Sequence, residues 1–254
     1  MVISPLNAVE CNRLADALGD TVETAISYHL LRRGLCEAYL LGNSGGEHGA
    51  IICDPKLCDE PTGFGTSPEL IVELLQSLTG WFCVNVATEL GMAVGALIEQ
   101  RMGVKVRYYG DLYFALTTPV KRFEKECVRQ LSIEDLALLE ASPEFARAAG
   151  FGGPRQLLEE SFMACGIIDG KIVASAQAYA RSERYADIGV VTLPEYRGRG
   201  FATAAASIVA QRLQEAGEIP LWSTGEDNYA SQRIAQKLGF TEAGRRVYVI
   251  VEEN

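Results

Sequence analysis

Residues 190–213 read VVTLPEYRGRGFATAAASIVAQRL. A β-prone run gives way at Leu193-Pro194 to a loop with two glycines among arginines, and then to an alanine-rich segment of helical character. Strand, glycine loop and helix in that order gather backbone N–H groups and the positive end of a helix dipole at one point. Glycines at 198 and 200 let a phosphate approach the backbone, while Arg197 and Arg199 add forked donors that stay charged at neutral pH. The stretch therefore reads as an anion site suited to a pyrophosphate, formed by Arg197, Gly198, Arg199, Gly200, Phe201, Ala202 and Thr203. A dinucleotide fingerprint, G-x-G-x-x-G, fails because Thr203 stands where the third glycine should be. A Walker A loop fails because no Lys-Ser or Lys-Thr follows the glycines.

Working outward, FMACGIIDGKIVASAQAYA (162–180) has the form of a hairpin, with Asp169-Gly170 supplying the positive backbone φ of a tight turn. ADIGVVTL follows as the next strand. After the glycine loop come a helix to about Ala216, the strand IPLWST, the helix YASQRIAQKLG and the closing strand RRVYVIVE. Upstream, VRQLS reads as a short strand, and Ser132 with Asp135 as a capping box. Further helices are expected within 143–161. The proline-led, charged PVKRFEKE places a boundary near 119–126.

The first half opens on spaced apolar positions over 7–33, which predict one amphipathic helix ending near Gly34. CEAYLL and GAIIC then form a hairpin around GNSGGEH, followed by helix ELIVELLQSL, strand WFCVNVA, helix MAVGALIEQRM and the strand region KVRYYGDLYFALT. Gly63-Phe64-Gly65 aligns on Gly198-Arg199-Gly200, each followed by helix, strand, second helix and an x-Gly-hydrophobic stop. An internal duplication is expected, with Thr62 in the first copy where the second has Arg197.

The 254 residues, 48% hydrophobic and 22% charged, suit a soluble globular chain with a sizeable core. The N-terminal segment has no basic, apolar leader and no window reaches membrane-span length, so a cytoplasmic protein is expected. Seven scattered cysteines read as reduced core thiols. Cys53 and Cys58 form a C-x4-C pair without a second half, and no metal site is expected. A net charge of −10 argues against a nucleic-acid surface and agrees with a cationic small substrate.

Arg197-x-x-Gly200-x-Ala202 resembles the Arg/Gln-x-x-Gly-x-Gly/Ala signature of the GNAT acyltransferase superfamily. Asn228 opening a helix that ends in Leu238-Gly239-Phe240 resembles that family's second hallmark. The resemblance covers about residues 127–254, and the first half resembles the degenerate amino-terminal domain of some two-domain members. It implies an α/β fold with a mixed sheet and tandem GNAT-like domains, 1–118 and a catalytic 127–254.

The resemblance further implies that acetyl-coenzyme A lies with its pyrophosphate on the backbone of Arg199 to Thr203. Its pantetheine arm would then add beside Val190, Val191 and Thr192 like an extra strand. An N–H of that strand, taken as that of Val191, would face the thioester oxygen. Asp187 is the first candidate for the base that deprotonates an amine, with Glu226 and Glu195 behind it. Many family members place Tyr seven residues after the Asn, where this chain has Ala235. Ser231, Tyr229 or Ser223 would then protonate the thiolate, or the thiol would leave unassisted. Asn228 would hold coenzyme A, cap its helix, or do both. The expected activity is N-acetyl transfer to a primary amine of a small molecule or peptide, without nucleic-acid or membrane partners and with room for a homodimer. The alternative is a module that binds coenzyme A or a partner and has lost catalysis.

Overall fold

The computed structural model describes residues 3–43, 46–55, 59–142, 144–145 and 151–252. By its packing the chain divides into two units: Met1–Gly19, Leu30–Leu112 and Gly244–Asn254 form one, and Asp20–His29 with Tyr113–Ala243 form the other. Among the described residues no helix is long and apolar enough to cross a membrane.

The first unit begins with helix α1 (Ala8–Leu18), opened by a capping box between Asn7 and Glu10. Gly19, at φ 70°, ends it. The expected single helix over 7–33 is thus two, and α2 (Ala25–Arg33) starts afresh, because a left-handed backbone cannot continue a right-handed helix. Strands β1 (Glu37–Gly42) and β2 (His48–Cys53) pair antiparallel, as do β2 and β3 (Thr62–Gly65). Helix α3 (Pro68–Ser77) crosses over to β4 (Cys83–Ala87), parallel to β3 through the pair Thr62 and Asn85. Helix α4 (Thr88–Met102) leads into β5 (Lys105–Ala115). Strand β11 (Thr241–Glu252) pairs antiparallel with β4, giving the order β1-β2-β3-β4-β11-β5. Ile71, Leu74 and Leu75 of α3 meet Val84, Val86, Ile98 and Val249 in one apolar core.

The second unit repeats the succession. Strands β6 (Val128–Gln130), β7 (Met163–Ile168), β8 (Lys171–Arg181) and β9 (Tyr185–Thr192) form an antiparallel run. The β7–β8 turn is Asp169-Gly170, at φ 48° and 73°. Helices α5 (Leu136–Glu140) and α6 (Pro154–Glu160) lie between β6 and β7. The Ser132/Asp135 capping box forms, and hydrogen bonds from Arg129 hold the Asp135 carboxyl down at about 2. Helix α7 (Phe201–Glu215) then crosses to β10 (Ile219–Gly225), parallel to β9, and α8 (Tyr229–Leu238) follows. The alanine run is the core face of α7: Ala204, Ala205, Ala206 and Ala210 are buried, as are Ala174, Ala176 and Ala178 of β8. Small residues on both let the helix lie close to the sheet.

Residues 119–126 are docked rather than loose. The Val120 N–H donates to the Gln214 side chain, the Phe123 N–H to Ser207 Oγ, and the Lys125 ammonium lies 4.5 Å from the centre of the Phe201 ring, so the segment descends α7. The glycine alignment between the halves shifts as well. Gly63 and Gly65 lie inside strand β3, where a Cβ at 63 would come within 2.9 Å of Val86 and one at 65 within 2.3 Å of the His48 carbonyl. They are close-packing glycines, and only two residues separate β3 from α3, against eight between β9 and α7. Cys58 and part of the expected 143–161 helical region lie outside the described residues.

The first unit holds a buried charge cluster. Arg246 is 3% exposed, and its Nε donates to Asn85 Oδ1 at 2.5 Å. Its Nη2 donates to the Gly63 and Asn85 carbonyls, at 2.7 and 3.1 Å, and the guanidinium lies 4.4 Å from the centre of the Phe64 ring. Asn85 in turn donates to buried Asp111 at 2.8 Å. Removing one member of such a cluster strands the others in low dielectric. Arg246→Leu should therefore cost about 3–5 kcal/mol, read as a lowered urea midpoint, and a loss below about 1 kcal/mol would show that the cluster is not required.

Candidate functional site

The site begins where two parallel strands part. Strands β9 and β10 pair at Tyr185 with Ile219, Ala186 with Pro220 and Asp187 with Leu221; their pairing stops there, while β9 stays paired to β8 up to Thr192. Backbone direction along β9 is fixed at both ends. The Arg184 carbonyl accepts from Ile219 N–H on the β10 side, and the Leu193 N–H donates to Val173 on the β8 side. Peptide groups alternate along a strand. Even-numbered residues, Val190 and Thr192 among them, therefore turn their N–H and C=O toward the opening. Val191 turns its own toward Ser175 of β8.

Side chains alternate too. Asp187, Gly189 and Val191 share one face, and Ser223 of β10 joins them, its Oγ donating to Asp187 Oδ2 at 3.3 Å. Asp187 is only 5% exposed, whereas Val191 is 45% exposed. The carboxylate thus sits at the closed end of the opening and the valine at the wide end.

The loop beyond β9 carries the anion-binding equipment. A short 3-10 turn over Pro194–Tyr196 leads to Arg197, whose Nε donates to the Thr192 carbonyl at 3.3 Å across the end of β9. Gly198 and Gly200 have φ of 72° and 82°, and a Cβ on either would meet nothing within 4 Å. The conformation demands glycine, and the space over the backbone is open to a ligand. Gly200 is the N-cap of α7 and has no side chain to cap with, so the first-turn N–H groups at Phe201, Ala202 and Thr203 suit an anion. Arg199 lies 5.3 Å from the centre of the Tyr196 ring. The Phe201 side chain points inward, over Gly166, where a Cβ would come within 2.7 Å of it, so only its backbone serves the loop. Thr203 is buried.

The other sequence candidates lie around α8. Asn228 Oδ1 accepts from the Ser231 N–H at 3.2 Å, which makes it the helix cap and leaves its amide nitrogen a donor on the exposed side. Ser231 Oγ accepts from the Trp222 indole N–H at 2.8 Å. Trp222 alternates with Ser223 on β10, so the structure does not bring Ser231 to Asp187. Tyr229 is 65% exposed, and Ala235 is fully buried. Ser223 is the polar neighbour that Asp187 acquires, and nothing in the local sequence fixes that pairing, because it depends on the β9–β10 register.

Burial pushes the thiols of Cys36, Cys83 and Cys165 up to about 12, so none of them offers a thiolate near neutrality. Among the described residues no three His, Cys, Asp or Glu side chains gather as metal ligands.

The profile of the family GNAT acetyltransferase matches residues 116–248, just over half of the chain, and the chain belongs to that family. Among solved structures, it is similar over 96% of its length to 99% of a GCN5-related N-acetyltransferase-like protein of Streptococcus suis, with TM-score 0.73 and 21% identity. It is similar over 99% of its length to the whole of a GNAT-family acetyltransferase of Colwellia psychrerythraea, with TM-score 0.60 and 16% identity. A tandem GNAT protein from the clavulanic acid biosynthesis pathway aligns over 97% of both chains, with TM-score 0.57 and 13% identity. These likenesses establish a tandem GNAT fold. Curated proteins provide no match.

An anion seated on this loop should depend on both its charge and its glycines. Arg197→Ala should weaken acetyl-coenzyme A binding about tenfold, the scale of one charge-assisted hydrogen bond. Gly200→Val should weaken it further by filling the approach and straining φ. Titration calorimetry reads both, and wild-type affinity in both variants would place the anion elsewhere.

Proposed function

We propose that this chain transfers an acetyl group from acetyl-coenzyme A to the nitrogen of a primary amine, a small molecule or a peptide, at the β9–β10 opening. The observation that carries the reading is the end of strand pairing at Asp187 and Leu221, directly upstream of the Arg197–Thr203 loop. The free edge suits an amide-bearing arm, and the loop suits a pyrophosphate. Family membership supports acyl transfer, and acetyl-coenzyme A supplies the activated thioester.

In this reading the residues divide the work. Val190 and Thr192 exchange backbone hydrogen bonds with the arm. The alternation of peptide groups gives the oxyanion-facing role to the Val190 N–H, since that of Val191 is directed at β8. Asn228 offers its amide nitrogen while capping α8. Asp187, with Ser223 donating to it, accepts a proton from the ammonium, through Ser223 or water because the carboxylate is buried. As the C–N bond forms, the C–S bond breaks. The ammonium gives up two protons in all; the thiolate takes one and the other leaves to solvent.

The first unit would hold no coenzyme A. Its β3–α3 connection has two residues and no arginine, and Arg246 already occupies the carbonyls of Gly63 and Asn85. Ala235 favours a second reading, a binding module without catalysis, because a buried methyl group stands where many relatives have Tyr.

Thiol release against a panel of amines separates the two readings: binding of acetyl-coenzyme A without release for any amine would favour the module. With deprotonation of the amine limiting, activity should rise with pH to a plateau and show no sharp alkaline fall. Asp187→Asn should lower kcat/KM about 100-fold with coenzyme A affinity unchanged. Full activity in that variant would move the base to Glu226 or a water chain. An alkaline limb that vanishes in Tyr229→Phe would assign the acid to Tyr229.

A further inference from the structure

Neither backbone conformation nor packing calls for glycine at position 189. It lies two residues beyond Asp187, the last residue of β9 paired with β10, and opposite Gln177 of β8. Its φ is outside the region that only glycine adopts easily, and a Cβ placed there would meet only Tyr179 Cβ, at 3.9 Å, an ordinary contact. Gly166, by contrast, has Phe201 packed against it, and Gly198 and Gly200 have positive φ. Glycine weakens a strand interior, and one that neither φ nor packing requires marks a bulge or the close approach of a ligand. A second observation sits beside it. The β8–β9 register slips between Ala178 and Ala180, so the displaced residue, Tyr179, is the one that neighbours Gly189. Irregularities of this kind re-aim side chains around sites.

We propose that Gly189 is the floor of the acceptor subsite and sets which amines enter. The inference rests on the acyl-transfer reading above. An acceptor would pass its nitrogen-bearing carbon over the bare backbone of Gly189, with the nitrogen toward Asp187 and Ser223 at the closed end and its remainder beside the exposed Val191. The class of substrate is a primary ammonium on an unhindered carbon: the carboxylate favours the cation, and of Asp187, Gly189 and Val191 on their shared face the glycine alone has no side chain to stand in its way.

The test is a size series in the full chain, Gly189→Ala and Gly189→Val, with three readouts. Thermal midpoints should equal or exceed that of the wild type, since a side chain suits a strand better than glycine. Acetyl-coenzyme A affinity, by calorimetry, should be unchanged. For a panel of amines graded by branching next to nitrogen, kcat/KM should fall modestly in the Ala variant and at least tenfold in the Val variant, chiefly through KM, with branched amines lost first. If Val disturbs the strand, the Ala variant carries the test through its altered selectivity for branched amines. Wild-type kcat/KM and selectivity in both variants would overturn the proposal, as would a loss of coenzyme A affinity that parallels the loss of activity. A wild-type chain that acetylates no amine would instead overturn the acyl-transfer reading, and this inference with it.

Discussion

Strands that share hydrogen bonds for three residues and then part impose an obligation on everything around them. Backbone N–H and C=O groups at a buried strand edge must be met by some partner. In the second unit β8 meets one edge of β9 throughout, whereas the other edge faces β10 only as far as Asp187. Arg197 meets the Thr192 carbonyl, and the groups of Val190 with the Thr192 N–H are left to water or to a ligand with amides of its own. The neighbouring features take their places from that divergence. The glycine loop stands at the wide end, and the Asp187–Ser223 pair spans the narrow one. Helix α7 holds the strands from behind with a face of alanines.

The first unit answers the same obligation differently. Its strands β3 and β4 pair at Thr62 and Asn85, and beyond that pair a guanidinium takes the carbonyls of both strands. A side chain does permanently there what a substrate would do transiently in the other unit. Burying a charge is expensive, and Asn85, the two carbonyls and the Phe64 ring together offset that cost by meeting the guanidinium on several sides.

Much of this was legible in the sequence where chemistry is local. Asp169-Gly170 announces its turn, Ser132 with Asp135 announces a capping box, and the arginine–glycine loop with Asn228 ten residues before Leu238 announces the family. What was not legible depends on register. The direction of the Val190 and Val191 peptides follows from which residue of β8 lies opposite, and the Asp187–Ser223 contact follows from the β9–β10 pairing; neither leaves a mark in composition. The break at Gly19 was hidden because apolar spacing resumes in phase after it. Gly63 and Gly65 imitate the phosphate-loop glycines in spacing, yet serve the opposite purpose: they let strands and side chains close on one another rather than let a ligand in.

Strand β11 follows the other strands in sequence and yet lies inside its sheet, between β4 and β5. During synthesis the first unit has nearly all of its residues once Leu112 has emerged, but some 130 more must follow before Gly244 appears. At ribosomal rates that interval is roughly 7 to 26 seconds. Throughout it, β4 and β5 present two facing edges without the strand that joins them, and Asn85 and Asp111 wait without their arginine. A first unit that folded before then would be a split sheet with a vacant central lane, open to other strands until β11 arrives.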